Sequence, residues 1–244
     1  MAVHKISAAF NRNLRVDWPC PMCHQKTLQI IKESFVDRET AGTRNAWSED
    51  WFDPEMSASV FVCMAECSRP SCQEIVACSG TGCTERDWDS VNGDQLVDWF
   101  EPKSFSPALH PFQIPEKCAD EISKPLTASF SVYLTQPGSA ANLIRITVER
   151  MLTAIGVPEL NEKQRRVPLH HRLETLLGQY GPYKEPLMAI KFLGNAGSHT
   201  YDEVKIDDIE AAFEIMDYVV TDLFSGRKES IDVLSARLKG KFGE

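Results

Sequence analysis

Apolar and polar residues change rhythm once along the chain. In the first hundred residues the apolar positions come in short alternating or continuous runs, "TLQIIKESF", "SASVFVCM" and "EIVAC". Such runs, with turn residues between them, predict β-strands. From about residue 137 the period lengthens. Ala140, Leu143, Ile144, Val148, Met151, Leu152 and Ile155 fall on one face of a helix that Gly156 and Pro158 stop. Leu169, Leu173, Leu176, Leu177 and Tyr180 predict a second helix opening at Pro168, and "PLMAIKFLGNAG" a third from Pro186. Ile206, Ile209, Phe213, Met216, Val220, Leu223 and Phe224 mark a fourth, with acids in its first turn where the helix dipole favours them. A last amphipathic stretch runs from about Lys228 to Leu238. Short connections between these helices predict an antiparallel bundle.

Between the two regions, "FEPKSFSPALHPFQIPEK" carries Pro102, Pro107, Pro111 and Pro115, with Pro125 soon after. Proline fixes φ and removes a donor, so an extended, irregular strap is expected here. The fold class is therefore α+β: a small N-terminal β-rich domain over residues 1–100, a proline-rich strap over 101–118, and an all-α bundle over 119–244.

Composition changes little in this picture. With 43% hydrophobic and 25% charged residues the chain is that of an ordinary globular protein. No apolar run approaches the ~18–20 residues of a membrane span. The charged N-terminus lacks the apolar core of a signal peptide, and a cytoplasmic location is expected. Charge matters more. Of the net −9, residues 36–101 hold −10, whereas residues 1–35 hold +3 and residues 102–244 hold −2. A broad basic face for a phosphate backbone is missing.

The eight cysteines point to a metal. "CPMC" presents Cys20 and Cys23, and "CSRPSC" presents Cys67 and Cys72. Two tight turns, each delivering two thiolates, are how a chain wraps tetrahedral Zn²⁺, and the N-terminal region reads as a zinc ribbon. Four free buried cysteines are the alternative. Cys63, Cys78 and Cys83 compete as ligands, "CSGTGC" having the same spacing. Cys63 and Cys78 lie in strand-like runs, which favours Cys20, Cys23, Cys67 and Cys72. A site of four thiolates leaves no open position for water, so its metal is expected to be structural. Between the pairs lies an acidic segment with Trp47, Trp51 and Phe52, which either completes the core of a small domain or docks a protein.

The stretch "KFLGNAGSHTYDE" sets two glycines, Asn195 and His199 into the end of an apolar helix. Together with "CPMC", "CSRPSCQEIV", "PGSAANLIRITVERML", "LHHRLETL" and "IDDIEAAFEIMDYVV", it resembles the prokaryotic domain of unknown function 4145 family. The resemblance implies a HEPN-like helical domain that dimerises. It also implies kinship with metal-independent ribonucleases and with anti-phage and restriction-linked proteins. The HEPN motif implies a histidine preceded, after four to six intervening residues, by an arginine. His199 fits the histidine, but the nearest preceding cation is Lys191 and Asn195 stands in the arginine's window. Lysine does not replace arginine at a bidentate phosphate site. Arg145, with Glu149 four residues on, can replace it only from another helix. Catalysis would then rest on His199, Asn195, Arg145 and Glu149; otherwise Gly194 and Gly197 serve close helix packing. Lys163, Arg165, Arg166, His171 and Arg172 form the strongest basic cluster and the expected nucleic-acid contact. Three functions follow as expectations: a noncatalytic defence-associated module that binds a protein, RNA or DNA partner and is homodimeric through its helices; a ribonuclease toxin; or a nucleotide or small-ligand sensor.

Overall fold

The structure, a computed structural model, describes residues 3–89, 93–199 and 203–243. It divides into two compact units. One comprises His4–Pro111 with Phe130–Thr135; the other comprises Phe112–Ser129 and the chain from Gln136 on, with Val3.

The first unit is built on an antiparallel sheet. Its strands are β1 (Phe10–Asn11), β2 (Leu28–Ile30), β3 (Val36–Glu39), β4 (Ala58–Cys67), β5 (Ile75–Asp89) and β6 (Gly93–Ser106), with a short helix α1 (Ala41–Ala46) after β3. The order is β1-β6-β5-β4-β2, and β3 pairs with the first half of β4. Along β4 the alternation is strict: Phe61, Cys63, Ala65 and Cys67 are buried, while Val60, Val62 and Met64 face outward. The core is aromatic, with the rings of Phe10 and Phe61 5.4 Å apart and those of Phe35 and Phe100 4.9 Å apart.

Gly80 makes room for this cluster. A β-carbon there would lie 2.6 Å from Phe61 Cε1 and 2.0 Å from the Glu101 carbonyl oxygen. Gly80→Ala should therefore destabilise the protein by about 2 kcal/mol or more, seen as a lower urea midpoint with an unchanged denaturant slope.

β6 runs on to Ser106, six residues past the expected domain edge, so the start of the expected strap is strand. Pro102 fits because it lies opposite Gly80, where the register shifts. A bulge is where a strand tolerates a residue without an N–H. The N-terminal domain is thus a six-stranded sheet with a long β5–β6 hairpin rather than a minimal ribbon.

The helices are α2 (Asp120–Val132), α3 (Pro137–Ala154), α4 (Leu169–Glu174), α5 (Lys184–His199), α6 (Ile206–Phe224) and α7 (Arg227–Phe242). Pro125, expected to extend the irregular segment, lies inside α2. Pro137 opens α3, and Asp208 accepts from the Lys205 N–H at 2.9 Å to cap α6. The stripe expected through Leu177 and Tyr180 is interrupted. α4 ends at Glu174, Gly178 takes a φ of +57°, and a 3₁₀ turn follows, leaving Leu177 exposed.

α3 packs against α5 and α6. A β-carbon on Gly197 would lie 2.5 Å from the Gly138 carbonyl oxygen, and one on Gly194 would lie 2.6 Å from Arg145 Cβ. Both glycines thus serve close approach of α5 to α3. No helix among the described residues is long and apolar enough to cross a membrane.

Candidate metal centre and the helical polar cluster

Each cysteine pair sits on a tight turn. In the first, the Cys20 N–H donates to the Gln25 carbonyl and the His24 N–H to the Cys20 carbonyl, both at 2.8 Å. In the second, the Cys72 N–H donates to the Arg69 carbonyl at 2.9 Å. The residue after the last cysteine of each pair turns left-handed, with φ of +55° at His24 and +52° at Gln73. That conformation is uncommon outside glycine, and here it reverses the chain directly behind a sulfur.

Sheet register brings the two turns together. β2, which leaves the first turn, pairs Leu28 with Cys67 at the end of β4. The sulfurs of Cys20 and Cys72 are then 3.6 Å apart, those of Cys23 and Cys67 3.8 Å apart, and all four lie within 4.8 Å of one another. A tetrahedron with arms of about 2.3 Å, the usual zinc–thiolate distance, has edges of about 3.8 Å. The four cysteines can hold a metal ion with little rearrangement.

Their surroundings suit thiolates. The Thr27 hydroxyl lies 3.1 Å from Cys67 Sγ and 3.6 Å from Cys23 Sγ. Burial works to raise the Cys23 thiol, but the Gln25 N–H, Thr27 and the neighbouring sulfurs outweigh it and hold it down to about 6. Cys20 is pushed up to about 12 by burial, against N–H groups of Cys23 and Met22 that pull it down. One thiol that ionises readily beside one that resists is what shared protons among crowded sulfurs produce, and a cation would draw both to thiolate.

The competing cysteines stand apart. Cys63 and Cys78 are buried opposite each other across β4 and β5, and Cys83 points toward Glu85. Among the described residues, Cys20, Cys23, Cys67 and Cys72 are the group able to hold a metal.

The polar residues of the helical unit are arranged differently. Arg145 pairs with Glu149 at 3.1 Å, and its stem lies over Gly194 of α5. Glu149 also receives Arg166 at 2.7 Å, and Arg166 reaches Glu159 at 3.4 Å. Asn195 follows Gly194 on α5 and is half-buried. His199 ends α5, and its side chain lies outside the described residues. Arg145 therefore lies against α5 at Gly194, and it is engaged by a carboxylate.

Of the expected nucleic-acid cluster, one member is not on the surface. Arg172 is 3% exposed, and it donates to the Glu149 carbonyl at 3.1 Å and to the Thr153 hydroxyl and Val157 carbonyl at 2.8 Å. It latches the C-terminal end of α3, where a cation is favoured by the helix dipole, and cannot reach a phosphate chain. Its place among Leu169, Leu173 and Leu176 was the available signal, since these share its helical face. Arg166 is spent on two glutamates, and His171 meets Glu174 at 3.1 Å. Lys163 and Arg165 are exposed.

Two family models match the chain. Residues 127–241 match the domain of unknown function DUF4145. The helical region belongs to that family. Residues 8–109 match a second domain of unknown function, DUF8608. The metal-site motifs "CPMC" and "CSRPSCQEIV" therefore fall in the DUF8608 match, and the Arg145–Glu149 pair and the α5 glycines in the DUF4145 one. No curated protein and no solved structure matches the chain.

Proposed function

We propose that this chain is a noncatalytic accessory module, braced by a structural zinc ion, that recognises a macromolecular partner in an anti-phage or restriction-linked setting. The observation that carries this reading is the state of the helical polar cluster. Its arginine is bound to Glu149 and its two glycines are used for packing, so the arginine that a nuclease would present to RNA is engaged by a carboxylate of its own helix. Four thiolates leave the metal no position for water, which restricts it to bracing the fold. The burial of Arg172 and the excess of acid over residues 36–101 favour a protein partner over nucleic acid. The defence setting, the HEPN-like character of the bundle and a cytoplasmic location rest on the family resemblance and on sequence alone.

A small-ligand role has one observation in its favour. A groove of about 590 Å³ in the helical unit is lined by Val157, Leu160, Val167 and Arg172, mostly apolar with a cation at its wall.

The test is incubation of the purified protein with cellular RNA and tRNA in EDTA, wild type beside His199→Ala. The expected result is intact RNA in both. Cleavage by wild type that His199→Ala abolishes, with folding and metal content unchanged, would replace this reading with a metal-independent ribonuclease.

A further inference from the structure

Arg172 is a buried cation that lacks a counter-ion. Its hydrogen bonds go to neutral acceptors, the carbonyls of Glu149 and Val157 and the Thr153 hydroxyl. Among the described residues its Nε–H has no acceptor. The acids whose charge reaches it, Glu149 and Glu159, are already paired with Arg145 and Arg166. Three arginines thus share two carboxylates. Taking a guanidinium out of water is costly, and burial pulls the Arg172 pKa down from its ordinary value. Carbonyls at the end of α3 offset part of this cost. A positive field remains in the low-dielectric space beside the side chain.

That space opens into the groove of the helical unit. α3 ends at Ala154, and the chain beyond it folds back on itself. Leu160 bridges to Arg166, and the Asn161 side-chain oxygen accepts from the N–H groups of Lys163 and Arg165. The groove of about 590 Å³ has the size of a site for a small organic molecule. Val157, Leu160 and Val167 give it an apolar wall, Arg172 lines it, and the exposed Lys163 and Glu162 complete its polar edge.

We propose that this groove binds a small monocarboxylate with an apolar body, of the medium-chain fatty acid type. The chain would lie along Val157, Leu160 and Val167, and the carboxylate would meet Lys163 in the field of Arg172. Charge selects this class. A neutral apolar molecule leaves the field of Arg172 unanswered. A nucleoside polyphosphate brings several negative charges to an edge where one exposed cation stands beside Glu162. A single carboxylate matches that edge, and the apolar wall holds the rest of the molecule. The proposal rests on the small-ligand reading of the groove given above and names its chemistry; recognition of a macromolecular partner does not depend on it.

The experiment titrates the full chain, with ¹³C-labelled Leu and Val methyls, against octanoate, octanamide and ADP. Octanamide has the shape of octanoate without its charge. Octanoate should shift the methyl signals of Val157, Leu160 and Val167. It should bind about tenfold or more tighter than octanamide, the worth of a hydrogen bond to a charged group. Lys163→Gln should remove most of that difference and leave octanamide binding unchanged. Leu160→Asp, at an exposed position, should abolish binding of both, with circular dichroism to check that it folds. Equal affinity for octanoate and octanamide at these methyls overturns the carboxylate but keeps the small-ligand reading. So does ADP binding there more tightly than octanoate, which would assign the groove to nucleotides. Octanoate binding that Lys163→Gln leaves unchanged overturns the proposal as well. No shift at these methyls with any of the three probes overturns both the proposal and the reading it rests on.

Discussion

Cys67→Ser should release the metal and unfold the end of the sheet that carries both cysteine turns. Cys67 terminates β4, pairs with Leu28 and lies within hydrogen-bonding reach of Thr27, so the loss of its thiolate is felt at the register contact that assembles the site. Structural zinc contributes about 10–16 kcal/mol in zinc-finger peptides. Even a fraction of that is large beside the ~5–15 kcal/mol that holds a typical domain. Scanning calorimetry should show a large fall in the transition of the sheet unit, and a strong chelator should reproduce it in wild type. Cys83→Ser should leave both metal content and this transition in place, because Cys83 lies outside the cluster. Acid should act in the same direction as the chelator. Thiolates bind metal in competition with protons, so bound metal is retained at neutral pH and lost as pH falls.

Gly197→Ala should destabilise the helical unit by about 1 kcal/mol or more. Two effects compete. Alanine is the better helix former by about 1 kcal/mol. Against it, the new methyl would meet the Gly138 carbonyl at 2.5 Å and the Ala141 Cβ at 2.9 Å; backbone cannot swing aside as a side-chain tip can, and overpacking costs about 1–3 kcal/mol or more. Packing wins, and the urea midpoint falls. Gly240→Ala is the matched control. Nothing lies within 4 Å of a β-carbon there, so propensity acts alone and helicity should rise slightly. If both substitutions stabilise, α5 is not held against α3 by the absence of side chains.

The cluster of four cysteines able to hold a metal was legible because its information is local. C-x2-C and C-x4-C fix two turns, and strand alternation removed Cys63 and Cys78 from contention; they are buried in β4 and β5. The helical face of α3 was legible for a similar reason, with Ala140, Ile144, Val148, Met151 and Leu152 all buried. What escaped the sequence was set by long-range register. β6 continues through Pro102 because a bulge opposite Gly80 absorbs it, and no local rule announces that bulge. Arg172 was grouped with its neighbours in sequence, but the C-terminal end of α3 claims it in space. The break after α4 had a signal in Gly178, Gly181 and Pro182, which the leucine spacing masked. Gly194 and Gly197 face Arg145 and Gly138 at distances that leave no room for a methyl.

The central claim is that four cysteines hold a closed, structural zinc. Elemental analysis of the full-length protein, purified without added metal, tests it most directly. One zinc per chain, with a colourless protein and the metal lost on Cys72→Ser, is the predicted result. Protein that folds with no stoichiometric metal, or that carries iron with its visible thiolate absorption, would contradict it.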